Sequence, residues 1–367
     1  MTKIIAFYLP QFHAIPENDE WWGKGFTEWT NVRNSKPNYR GHYQPEVPLE
    51  KNYYSLLDEK TQIWQSELAL NYNVDGFCYY HYWFDGRLLL EKPMENMLTN
   101  EEIKIPFCIC WANESWSRTW TGNEKEVLIK QNYDSDNKSI EAHFNYLLKF
   151  FKDERYIKKN NKPVFIIYKP YLIENLSCFI EIWNRLAREN GFDGIWWGHQ
   201  SSLSFNYDVS SFDFGIEFEP FYTRQFEAEK EKEQSRFRKY ILNPKRLIKK
   251  LREKIRGGWT ESYDYFINAS SQRSTNNHSY LGAFPSWDNT PRRGKKSYMV
   301  KGSTPEKFEK YLRTVFEKNR NKENNDYIFI NAWNEWAEGA HLEPAEKYGL
   351  KYLEVIKKVT DEYKSVK

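Results

Sequence analysis

IIAFYLPQFHAIP, residues 4–16, opens the chain with six apolar or aromatic residues and then meets Pro10 with no glycine-rich turn. Near-continuous apolarity of this kind marks a strand covered on both faces rather than one with a wet side. A doubly wound nucleotide-binding sheet needs GxGxxG after its first strand, and LPQFHAIP stands in that place. Seven similar runs follow: DGFCYYHYW (75–83), PFCICWANES (106–115), PVFIIYKP (163–170), GIWWGHQ (194–200), FDFGIEFEPF (212–221), YLGAFPSW (280–287) and YIFINAW (327–333). Segments with apolar residues at helical spacing separate them, clearest at 55–73, 139–156, 178–191, 304–320 and 349–367. Strands alternating with helices over this length predict an α/β fold, a (β/α)8 TIM barrel.

Two stretches exceed what barrel connections need. Residues 13–53 follow strand one and are rich in Trp, Pro, Asn and Gly, and residues 225–278 follow strand six. The second carries the basic run FRKYILNPKRLIKKLREKIRGG (237–258), read as an amphipathic helix over 236–256 with a solvated charged face, or as a contact to a membrane surface or a partner. No linker or repeat divides the chain, so residues 1–367 are expected to form one catalytic domain with these two insertions.

Lys and Arg number 54 against 51 Asp and Glu, a balance of +3 that gives no phosphate-tracking surface, so nucleic acid is not the expected partner. The four cysteines are too few for a disulfide framework and read as buried thiols. No signal-peptide core accumulates before Pro10 and no run approaches a membrane span, so a cytoplasmic location is expected. The unusual feature is 15 Trp, 26 Tyr and 24 Phe, 18% aromatics in a polar chain. Such rings suit stacking on sugars, whose C–H faces are apolar and whose edges are hydroxyls.

A barrel active site sits at the C-terminal ends of the strands. The runs end in Tyr8, then Tyr80, His81, Tyr82 and Trp83, then Trp111, Asn113, Glu114 and Trp116. Later runs end in Glu217 and Glu219, in Trp287 and Asp288, and in Asn334, Glu335, Trp336 and Glu338. With Trp29 from the first insertion, these are the expected sugar-binding residues, the tryptophans as an open rim and Asn113, Glu114, Asp288 and Asn334 as a polar scaffold. Glu335 and Glu338, three residues apart at a strand-to-loop transition, are the expected catalytic pair, since glycosidic chemistry asks for one acid and one base or nucleophile. Glu343, just before Pro344, is read as a helix-start residue. A metal site from Glu335, Glu338 and His341 lacks regular ligand spacing, and neither a metal nor another cofactor is expected.

WNEWAEGAHLEPA (333–345) resembles the N-E-W-x-E-G signature of glycoside hydrolase family 99, the endo-α-mannosidases and endo-α-mannanases. FYLPQFHAIPENDEWWGKGFTEWTNV (7–32), WANESW (111–116) and FPSWDNTPR (284–292) are similar to the WbsX-like proteins of bacterial O-antigen and capsule gene clusters, which are named as glycosyltransferases. The resemblance implies a (β/α)8 barrel, an oligo- or polysaccharide substrate, no metal, and retention of configuration. It also implies a mechanism in which one Glu deprotonates the sugar 2-hydroxyl, giving a 1,2-anhydro sugar, while the other serves the bridging oxygen. By position these are Glu335 and Glu338. A retaining endo-type hydrolase or transglycosylase is thus the expected function, beside a glycosyltransferase or a non-catalytic glycan-binding barrel.

Overall fold

In a computed structural model of the protein, residues 2–117, 126–133, 136–201, 207–237 and 259–365 are described. Each of the eight apolar runs contributes one strand: β1 Lys3–Tyr8, β2 Gly76–Phe84, β3 Phe107–Trp111, β4 Lys162–Ile167, β5 Trp196–Gln200, β6 Phe214–Ile216, β7 Ser279–Ala283 and β8 Tyr327–Ile330. They pair in parallel in sequence order, and β1 closes the ring by pairing with both β8 (Ala6 opposite Ile330) and β2 (Tyr8 opposite Tyr79). Six of the eight strands end before their apolar runs do, while β2 reaches Phe84 and β5 reaches Gln200, and the polar residues at and beyond the strand ends form the C-terminal rim.

The outer helices are α1 Glu59–Asn71, α2 Lys92–Thr99, α3 Asn137–Phe151, α4 Leu176–Glu189, α5 Phe221–Phe237, α6 Tyr263–Gln272, α7 Pro305–Arg320 and α8 Lys351–Ser365. Local signals start the clearest ones: Asp136 accepts from the Ser139 amide at α3, and Thr304 accepts from the Lys307 amide ahead of Pro305 at α7. Among the described residues no helix lies between β5 and β6.

Two cores result. Inside the ring, Phe7 contacts Tyr80, Phe218 and Phe329 at centroid distances of 5.5, 5.2 and 5.8 Å. Between ring and helices, Trp183 of α4 meets His143, Phe144, Phe165 and Trp197. Cys78, Cys108 and Cys110 are buried in the strands, whereas Cys178 at the start of α4 is exposed, contrary to the expectation for all four. The α4 apolar face points inward, and Cys178 lies off it.

The insertion after β1 forms short helices at Pro16–Trp22 and Glu28–Asn34. The second starts where the Thr27 amide donates to Thr30 Oγ1 and the Glu28 amide to the Gln11 carbonyl, which aims Glu28 back toward the barrel mouth. After β6, strand Trp259–Ser262 pairs with Tyr298–Lys301, which pairs with Trp287–Asp288, so a three-stranded sheet braces the exit of β7. Gly282 lets β7 approach β6 closely, because a Cβ there would stand 2.1 Å from the Glu217 carbonyl oxygen. The expected amphipathic segment 236–256 lies, beyond Phe237, outside the described residues. Among the described residues no helix is long and apolar enough to cross a membrane.

Candidate active site

Glu335 and Glu338 leave the end of β8 on a tight hairpin: Asn334–Glu335 pairs antiparallel with Ala340–His341, and Gly339 turns the chain at φ +59°. Both carboxylates bind one guanidinium. Arg292, from a short helix Thr290–Arg293 beyond β7, donates from one η nitrogen to Glu338 at 2.8 Å and from the other to Glu335 at 3.0 Å. Its Nε donates to Glu28 at 3.3 Å, so three acids from three parts of the chain share one cation.

The Glu335 carboxyl is pushed up to about 8, first by burial and then by the charges of Glu338 and Glu28, with Arg292 opposing. Glu338 is also raised, by burial and by Glu28, again against Arg292. Two neighbouring carboxyls with elevated affinity hold a proton as a pair near neutral pH, which is the condition for one acid and one base in the same site. Around them stand Tyr80 and Tyr82, whose phenols are held protonated by burial and, in part, by Glu335. Burial and the charges of Glu114 and Glu338 act likewise on Tyr168. Gln11 donates to the Tyr82 hydroxyl at 3.0 Å. Trp116 is half-buried beside them, with Trp21 and Tyr82 edge-on at 5.9 and 5.3 Å. Glu114 is half-exposed and paired with Lys169.

The other expected sugar-binding residues are placed in packing. Trp29, Trp83, Trp111, Trp287 and Trp336 are 5, 7, 5, 2 and 1% exposed, so of the six tryptophans expected as an open rim Trp116 alone is half-buried. The pleat gives the reason: along β2, Tyr80 and Tyr82 face the barrel mouth while His81 and Trp83 face α3. There Trp83 stacks on His143 at 4.7 Å and His81 Nε2 lies 2.9 Å from His143 Nε2. Trp111 stacks on Phe179 of α4, and Trp287 meets Phe221 edge-on. Trp29 donates to the Tyr54 carbonyl and packs on Trp336. Tyr8 is fully buried and donates to Gln65 on α1.

The expected polar scaffold splits similarly. Asn334 donates to the Leu9 carbonyl and accepts from the Leu9 amide, and Asn113 does the same with Lys169. Each side chain thus acts as an extra peptide group joining two strand ends. Asp288 accepts from Gln44, from the Thr290 amide and from the Thr290 hydroxyl, and its Oδ2 lies 2.6 Å from His42 Nε2, so its acceptor sites are engaged by protein. Glu217 and Glu219 are buried against Arg273, with Thr223 capping Glu219. Glu343, expected at a helix start, is instead a buried hub that accepts from Tyr54, Gln65 and Trp336, and the next helix begins only at Lys351. His341 turns its ring to Glu46 and the Glu343 carbonyl, away from the glutamate pair. Among the described residues no group of three or more His, Cys, Asp or Glu could hold a metal ion.

Arg292 and Glu28 are the residues that sequence reading passed over. Both lie inside quoted motifs, FPSWDNTPR and GFTEWTNV, but 264 positions separate them, and no local pattern signals their contact.

The fold has known counterparts. The GH99 endo-alpha-mannosidase from Bacteroides thetaiotaomicron superposes with a TM-score of 0.56 over 99% of this chain and 97% of that one, at 13% identity. A glycoside hydrolase-like protein gives 0.58 over 98% and 93%, also at 13% identity. At that identity the likeness concerns the barrel. In sequence, the protein WxcX of Xanthomonas campestris pv. campestris strain B100 is 34% identical over 361 residues, which is 97% of this chain and 49% of WxcX. The chain therefore spans about half the length of the curated relatives it matches. The family model described as "Glycosyltransferase WbsX" runs from residue 4 to residue 356, through the β1 opening, the β7 exit with Arg292 and the β8 hairpin with both glutamates, and the chain belongs to that family.

Proposed function

We propose that the chain is a carbohydrate-active enzyme, a retaining endo-type glycoside hydrolase or transglycosylase acting on a cell-surface polysaccharide or its precursor. The observation that carries this reading is the pair Glu335 and Glu338, joined through Arg292 at the rim, both with raised proton affinity. One proton on the pair supplies an acid and a base together. The ionised Glu335 takes the proton of the substrate's 2-hydroxyl as that oxygen attacks C1. Glu338 gives its proton to the bridging oxygen as the C1–O bond breaks, leaving a 1,2-anhydro sugar. The acceptor, water or a sugar hydroxyl, then passes a proton to Glu338 and attacks C1, and Glu335 returns its proton to O2. Two inversions give net retention. Burial holds a proton on the pair in the free site; a 2-hydroxyl donating to Glu335 and a bridging oxygen accepting from Glu338 place it on Glu338.

Incubation with a cell-surface polysaccharide and its lipid-linked precursor, with products read by NMR and mass spectrometry, tests this. The retained anomer is expected from the wild type, no product from Glu335→Gln or Glu338→Gln, and no turnover of a substrate lacking the 2-hydroxyl. A glycosyl ester on either glutamate overturns the anhydro-sugar route. A second reading, glycosyltransferase, is favoured by the family's own description. It predicts that the precursor is extended by a sugar acceptor and that the polysaccharide is left uncut.

A further inference from the structure

Glu28 is fully buried at the first turn of its helix, and its Oε1 has no hydrogen-bond partner among the described residues. An acid so placed costs stability unless it is bound to something that needs it. Its other oxygen meets Arg292 Nε, while the two η nitrogens of the same guanidinium meet Glu335 and Glu338. From this geometry we infer that Glu28, contributed by the insertion after β1, is a positioning residue that acts on the glutamate pair through Arg292. The inference rests on the reading of Glu335 and Glu338 as the working pair.

The guanidinium is planar and its five N–H groups point in fixed directions. Holding Nε therefore sets the directions of both η nitrogens and allots one to each glutamate. Loss of Glu28 removes this hold on Nε and relaxes the allotment of one η nitrogen to each glutamate. Charge works in the same sense. Arg292, Glu28 and Glu338 face Glu335, while Arg292, Glu28 and Arg293 face Glu338, with Tyr80, Tyr82 and Tyr168 as neutral neighbours. Glu28 raises the proton affinity of both working acids, against the charges of Arg292 at both and of Arg293 at Glu338.

The substrate-free protein, labelled with 13C at Glu carboxyls and 15N at Arg, permits a test that needs no known glycan. In Glu28→Gln the amide oxygen still accepts from Nε but the charge is gone, so the titration midpoint of Glu335 is expected to fall by about one unit. In Glu28→Ala that midpoint also falls, and the Arg292 Nε–H, expected to exchange slowly in the wild type where it is bonded to Glu28, is expected to exchange with water at the rate of a surface arginine. Glu28→Asp keeps the charge but not the reach, and should show the fast exchange with little change in titration. Unchanged titration in the Gln variant, or a protected Arg292 Nε–H in the Ala variant, overturns the inference. On any glycan that is turned over, Glu28→Ala should lower kcat about tenfold or more with little change in KM. Failure to find such a glycan counts against the proposed function alone, because the resonance measurements read the cluster directly.

Discussion

At the scale of single residues, the site is a problem of proton affinity. Glu335 is 6% exposed, and burial raises its carboxyl from an ordinary 4.5 to about 8 against the pull of Arg292. A carboxyl raised in the folded state binds protons more tightly there than in the unfolded chain. Its contribution to stability is fully present while both states are protonated, and it is lost as pH rises through the folded value. Wild-type stability should therefore decline between about pH 5 and pH 8 through this group, and Glu335→Gln, which keeps the shape and removes the charge, should remove that part of the slope. Chemical denaturation across the range measures it: the variant is expected to match the wild type near pH 5 and to exceed it at pH 8. Parallel stability curves for the two proteins would refute the shift. The same logic separates Glu335 from Glu343, whose carboxyl is also raised by burial but is met by three donors from Tyr54, Gln65 and Trp336. A hub of that kind orders the loop behind the pair and has no oxygen left for a substrate.

At the scale of elements, the pleat of each strand decides which aromatic rings reach the mouth. β2 presents Tyr80 and Tyr82 to the site and His81 and Trp83 to α3, while β3 sends Trp111 to α3 and α4. Trp111 accordingly belongs to the layer that glues helices to the barrel: it stacks on Phe179 at 5.6 Å and donates from Nε1 to the Trp83 carbonyl at 3.2 Å. Trp111→Ala is expected to cost about 3–5 kcal/mol, as other large-to-small core changes do. Urea unfolding checks this, and a loss below about 1 kcal/mol with weakened glycan binding would return Trp111 to the cleft. The strand ends are joined by asparagines, Asn334 to Leu9 and Asn113 to Lys169, each using both amide atoms. Their positions within the N-E-W and A-N-E motifs thus place the acids that follow, Glu335 and Glu114, by fixing the backbone one residue earlier.

At the scale of the whole molecule, closure governs. β8 is the strand that β1 and β7 both need, through Ala6 opposite Ile330 and Leu281 opposite Ile328. Ending the chain at residue 326 removes β8 and α8 and leaves two long apolar edges unpaired, so the truncated protein should aggregate rather than unfold to a soluble chain. Light scattering of the purified truncation tests this, and a monodisperse, folded product would show that the ring is not the cooperative unit. The sequence by itself determined the barrel, because each strand is a contiguous apolar run that hydrophobic burial marks locally. It also determined where the glutamate pair lies, since the two acids and their turn occupy five consecutive residues, 335–339. Which rings would be spent on packing was settled only in three dimensions, because a strand alternates its faces and the helix that covers one of them comes from elsewhere in the chain. The Arg292 fork also belongs to the tertiary structure. Its partners lie 43, 46 and 264 positions away, and only ring closure and the folding of the β1 insertion over the barrel mouth bring this half-buried cation within reach of three acids.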